Sequence, residues 1–176
     1  MLGKLTGLSR VVVGVAAFTG LRLAELKGLQ WADYDGHMLH VRRNVWRRNS
    51  VPVIAPLRKL LDAHKASSNG AVWMFQGTRG FAYNLDNLTG REIRPVLGDR
   101  WHGWHAFRRG IATVLFDLGV DPEVAATILG HSDSAVTRRH YIKLQSQKHG
   151  AAAMQRLEKS LAGKGQLRGK QKRPRH

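Results

Sequence analysis

The sequence predicts an α+β fold, mainly α, in which a small antiparallel β-sheet packs against helices. Three observations carry this reading. Leu39, Val41, Arg43 and Val45 alternate with their neighbours at period two, the flanking segments repeat apolar residues at three-and-four spacing, and Gly, Pro and capping residues cut those segments into helix-length pieces. A chain of 176 residues is long enough to bury one substantial core and needs no second.

The apolar run Arg10 to Phe18 forms a first helix, broken at Thr19-Gly20, after which Leu21, Leu26 and Leu29 resume helical spacing. Asp35-Gly36 is a turn signal ahead of the alternating strand. Arg47 to Ser50 reads as a short polar turn leading to a second strand, Val51 to Ile54, whose proline suits a strand end or edge. Pro56 opens a helix with Leu57, Leu60, Leu61 and His64 on its buried face, and Ala71 to Phe75 is the candidate third strand of a sheet within residues 37–75. Between Gly103 and Gly119, the residues Phe107, Ile111, Val114, Leu115 and Leu118 mark one packed face. Asp121-Pro122-Glu123 starts the next helix and Gly130 stops it; Ser132, Asp133 or Ser134 then caps a helix through Tyr141. A final helix from Ala151 carries the stripe Met154, Leu157 and Leu161. The basic tail 163–176, poor in apolar residues, reads as disordered.

Charge narrows the function. The 29 Lys and Arg against 12 Asp and Glu leave a formal +17, which calls for a polyanion, and nucleic acid is the obvious one. The run Val11 to Phe18 is too short to span a membrane, and no secretory leader pattern opens the chain, so a cytoplasmic, nucleoid-associated location is expected. With no cysteine, disulfides, thiolate metal sites and Cys nucleophiles are excluded. No cofactor or metal is expected, since His102, His105, His131 and His140 lack carboxylate support for a metal site.

Four positions place polar groups at helix ends: Arg22, the pair His105 and Arg108, His131, and Tyr141. Arg22 follows a chain break, where a helix N-terminus favours an anion. His105 and Arg108, three apart, share a helix face. Taken singly, a solvated face or a turn histidine explains each of them. Together the strings TGLRLAEL (Thr19 to Leu26), HAFRRG (His105 to Gly110) and LGHSDSAVTRRHY (Leu129 to Tyr141) resemble the tyrosine recombinase, or phage integrase, family over roughly Arg10 to Leu144.

The resemblance implies the catalytic-domain fold of that family over residues 1–162, and a site made of Arg22, His105, Arg108, His131 and the nucleophile Tyr141, with Glu25 supporting Arg22. It implies duplex DNA as partner, gripped also by Arg42, Arg43, Arg47, Arg48, Arg109, Arg138 and Arg139, and a homo-oligomer, a tetramer, assembled on DNA. The implied reaction is cleavage and rejoining through a 3′-phosphotyrosine. Two guanidiniums suit it because each offers bidentate hydrogen bonds to phosphate oxygens as charge builds. Forming a tyrosine phenolate at pH 7 costs about 4 kcal/mol unless a base takes the proton during attack, and His105 is placed for that. His131 would bond a non-bridging oxygen.

Three features depart from the family pattern. Its hairpin lysine is missing: between Val45 and Val51 stand Trp46, Arg47, Arg48, Asn49 and Ser50, and an arginine, with its pKa above about 12, hardly delivers a proton. Arg109 stands where many relatives have histidine. The family's upstream core-binding domain is expected to be absent, since about ten residues precede the match. These departures leave a catalytically degenerate recombinase as an alternative, and Val124 to His140 also reads as the helix-turn-helix of a DNA-binding protein without enzymatic activity. Charge gives a first test: if about six phosphates are contacted, the log-log plot of DNA affinity against salt has a slope near about −5, and a nearly flat plot contradicts the assignment of DNA as partner.

Overall fold

The computed structural model describes residues 1–44, 47–130 and 134–146. The elements run α1 (Gly7–Thr19), α2 (Leu23–Lys27), β1 (Met38–Asn44), β2 (Arg47–Pro52), α3 (Ala55–Ala66), α4 (Leu85–Leu88), a π-helical turn (Thr89–Ile93), α5 (Arg94–Leu97), α6 (Trp104–Asp117) and α7 (Pro122–Leu129). A further helix, α8, spans 134–146.

α1 is the spine. Val11, Val12, Val13, Val15 and Ala16 are all buried, as expected for a helix apolar on nearly every side, and both α3 and α6 pack against it. Gly14 lets α3 come close, because a Cβ there would overlap Leu60 Cδ2. Leu57 and Leu61 of α3 complete this layer with no measurable exposure. The break foreseen at Thr19-Gly20 is real: Gly20, at φ 67°, caps α1 in the left-handed conformation and its N–H bonds the Ala16 carbonyl at 2.9 Å.

The sheet has two antiparallel strands, with Leu39 facing Val51, His40 facing Ser50 and Arg42 facing Arg48. Two expectations need correction. Arg47 to Ser50 belong to β2 rather than to the turn, because β1 continues to Asn44 and the ladder, with a bulge between Arg42 and Asn44, carries the pairing further along. Ala71 to Phe75 is no third strand; Trp73 makes one isolated bridge to Gln30, and among the described residues two strands pair as a sheet. Leu39, Val41 and Val51 bury one face of the hairpin.

α6 brings the third correction. Its predicted packed face holds only in part: Phe107 packs against the core and Ile111 and Leu115 are half-buried, but Val114 and Leu118 are 53% and 73% exposed, and the fully buried positions are Arg108 and Ala112. α7 follows the sequence closely, with the Asp121 carboxylate accepting from Glu123 N and Val124 N and Gly130 closing it at φ 61°. No helix among the described residues is long and apolar enough to cross a membrane. The final apolar stripe and the tail lie outside the described residues.

The segment between α2 and the hairpin is fastened to α3. The Tyr34 hydroxyl donates to Asp62 Oδ1 at 2.9 Å, and Lys65 lies over the Trp31 and Tyr34 rings. Burial, and then the Asp62 carboxylate, push Tyr34 up to about 12. A phenol whose folded pKa is raised contributes stability below its unfolded value near 10 and loses it as pH climbs toward 12. The denaturant midpoint should therefore fall between pH 9 and 12, and fall less in Tyr34→Phe; an identical decline in both proteins contradicts this role for Tyr34.

Candidate functional site

Arg22 sits at the N-cap of α2, where its extended backbone directs its own N–H to Glu25 Oε2 at 2.8 Å, while its Nη1 meets Glu25 Oε1 at 3.2 Å. The Glu25 side chain is only 7% exposed and that of Arg22 37%, so a nearly buried carboxylate holds a guanidinium that still reaches solvent.

Arg108 is buried, its Nη1 donating to the Gly20 carbonyl at 3.0 Å and its Nη2 to the Leu129 carbonyl at 2.6 Å. Those carbonyls close α1 and end α7, where helix dipoles present partial negative charge, so a buried cation is favoured there. One side chain thus ties the turn that carries Arg22 to the end of α7 just before His131. His131 itself lies outside the described residues. His105 stands exposed in the first turn of α6, three residues before Arg108, with exposed Arg109 following.

Tyr141 is placed differently. Its ring lies edge-on to Phe116 with centroids 5.1 Å apart, and its hydroxyl is buried with no hydrogen-bond partner among the described residues. Phe116 is two turns beyond Arg108 on α6, about 12 Å of helical rise. No hydrogen bond joins the hydroxyl to Arg22, His105 or Arg108. Burial, and secondarily the charge of Asp121, push the Tyr141 phenol above its ordinary value. Its neighbour His140 contacts Thr113 Oγ1 at 3.3 Å and is held below the usual histidine range by burial, then by Lys143 and Arg109.

Of the expected DNA-contacting arginines, Arg109 and Arg139 are exposed. Arg42 pairs with the buried Asp33 at 3.3 Å, and Arg138 is engaged by Glu123 of α7. Arg43, Arg47 and Arg48 lie on the hairpin strands, but their side chains fall outside the described set. Among the described residues no group of His, Asp and Glu is arranged to hold a metal ion. Sequence reasoning missed the Gly20 and Leu129 carbonyls, since backbone acceptors leave no residue signature. It also missed Phe116 as the partner of Tyr141, although its spacing from Arg108 on one helix was visible.

Residues 5–148 match the family model described as the phage integrase family. The chain is similar to the prophage integrase IntF of Escherichia coli K12, at 25% identity over 138 residues, which is 72% of this chain and 29% of that protein. It is also similar to the tyrosine recombinase XerC-like protein of Caldanaerobacter subterraneus subsp. tengcongensis, at 27% identity, covering 70% of this chain and 42% of the relative. The chain therefore spans less than half the length of these relatives. In fold it resembles the XerA recombinase, with TM-score 0.67, 22% identity and coverage of 81% of this chain and 58% of that one. The XerH site-specific recombinase bound to palindromic difH substrate, a post-cleavage complex, gives TM-score 0.69 at 20% identity, covering 82% and 44%.

The Gly20 turn generates a direct prediction. A Cβ at position 20 would lie 3.0 Å from Leu129 Cδ2 and 3.4 Å from Arg108 Cα, in a conformation that L side chains resist. Gly20→Ala should cost about 2 kcal/mol, lowering Tm by about 4–8 °C for a chain of this size. A Tm unchanged within 1 °C, read by calorimetry, contradicts the packing described.

Proposed function

The chain belongs to the phage integrase family, and from that membership we propose that it is the catalytic domain of a site-specific DNA recombinase or integrase. In this reading residues 1–162 form the domain, duplex DNA is the substrate, and one strand is cut and rejoined through a bond between Tyr141 and a 3′-phosphate. The observation that carries it is Arg108 bonded to the Gly20 carbonyl, two residues before Arg22, a contact between distant parts of the chain.

Arg22 and Arg108 bind the non-bridging oxygens of the scissile phosphate, an electrostatic contribution whose loss costs about a hundredfold to a thousandfold per donor. Glu25 fixes the Arg22 fork and the two carbonyls fix that of Arg108, so little reorganisation is needed when the phosphate arrives. His105 takes the phenol proton during attack, and His131 hydrogen-bonds the phosphate. Exposed Arg109 and Arg139 grip the flanking backbone, and Arg42, Arg43, Arg47, Arg48 and Arg138 contribute to the same basic face. The covalent intermediate retains the energy of the broken linkage, so a 5′-hydroxyl reverses the step with neither ATP nor metal. Attack requires the Tyr141 hydroxyl to leave Phe116.

The partner reading follows the family: a homo-oligomer, a tetramer on DNA, in which Met154, Leu157 and Leu161 dock on a neighbouring protomer, acting in the cytoplasm at the nucleoid. The second reading, a DNA-binding relative without activity, is favoured by the buried, unpartnered Tyr141 hydroxyl. An adduct assay separates the two. Nicked suicide duplexes incubated with the chain should yield a denaturation-resistant protein-DNA adduct that Tyr141→Phe abolishes. Tight binding with no adduct selects the inactive reading, and an adduct that survives Tyr141→Phe rejects the nucleophile.

A further inference from the structure

The reaction proposed above needs an acid as well as a base, because the 5′-oxygen leaves as an alkoxide unless it is protonated as its bond to phosphorus breaks. Arginines keep their protons at any physiological pH. Between Met38 and Pro52 that leaves His40 as the one side chain of a type that gives up a proton near neutrality.

His40 is held at both ring nitrogens. Nδ1 lies 3.0 Å from the Oγ of Ser50, its cross-strand partner, and Nε2 lies 3.0 Å from Asp35 Oδ2. Asp35 stays ionised, since the His37 backbone N–H, then His40, then the Met38 N–H hold its carboxyl well below the usual range. Leu39, Val41 and Val51 are buried, so His40 and Ser50 stand on the outward face of the hairpin. That hairpin borders the site on two sides: β1 touches α2, capped by Arg22, and β2 touches α7, whose last carbonyl holds Arg108. Among the described side chains nearby, Arg42 pairs with Asp33 and His37 with Arg58.

We propose that Ser50 delivers the proton to the leaving 5′-oxygen and that His40, oriented by Asp35, resupplies it; this rests on the recombinase reading. In the forward step the bond from the Tyr141 oxygen to phosphorus forms as the bond from phosphorus to the 5′-oxygen breaks. The phenol proton passes to His105, the Ser50 hydroxyl proton to the 5′-oxygen, and the Nδ1 proton of the His40 imidazolium to Ser50 Oγ. Rejoining runs every transfer backwards. Ser50 is the catalytic residue of this relay, and His40 and Asp35 are positioning residues.

The test uses the whole chain with a pool of nicked duplexes, randomised in sequence around one scissile linkage and prepared with either oxygen or sulfur at the bridging 5′ position. A thiolate leaves without an acid. Ser50→Ala and His40→Gln should slow adduct formation on the oxygen pool by about a hundredfold and match wild type on the sulfur pool. Ser50→Thr, which keeps the hydroxyl, should retain wild-type rates on both. Equal slowing on both linkages, or none on either, overturns the relay while leaving the recombinase reading intact. Absence of any wild-type adduct on both pools overturns that reading and the relay with it.

Discussion

A buried guanidinium bonded to the ends of two helices is the contact on which the rest of the structure depends. Moving the charge of Arg108 out of water costs several kcal/mol, and the Gly20 and Leu129 carbonyls offset that cost because both lie where helix dipoles accumulate negative charge. A lysine has one point charge and no planar fork, so it cannot span two carbonyls in this way. The same bonds join α6 to the ends of α1 and α7. Arg108 and Ala112 are the fully buried positions of α6, while Val114 and Leu118 face solvent.

The two arginines and Tyr141 are held in different ways. Arg22, braced by Glu25, and Arg108, braced by carbonyls, are positioned by short contacts within the chain. Tyr141 instead rests on Phe116 with its hydroxyl buried, and burial makes its ionisation harder. Preorganised donors reduce reorganisation at the moment of reaction.

The basic surface is less uniform than its composition suggests. Arg42 answers the buried Asp33, and Arg138 answers Glu123, joining α8 to α7. Both arginines remain exposed while paired, at 60% and 58%, and Arg109 and Arg139 also face solvent. On the hairpin His40 lies between a carboxylate and a hydroxyl.

The sequence by itself determined whatever depends on neighbours along the chain. The break at Thr19-Gly20, the Asp121 cap, the Gly130 stop, the turn at Asp35-Gly36 and the apolar spine of α1 are local matters of backbone conformation, capping and periodicity, and each was legible. So was the set of polar motifs, whose order and spacing survive in one dimension. Tertiary structure alone decided the reach of the hairpin ladder, the loss of Ala71 to Phe75 as a strand, the exposure of Val114 and Leu118 on α6 and the packing of Tyr141 against Phe116. These depend on contacts between segments far apart, several of them made by backbone carbonyls, and a carbonyl is the same in every residue, so no pattern of side chains announces which one a buried arginine will find.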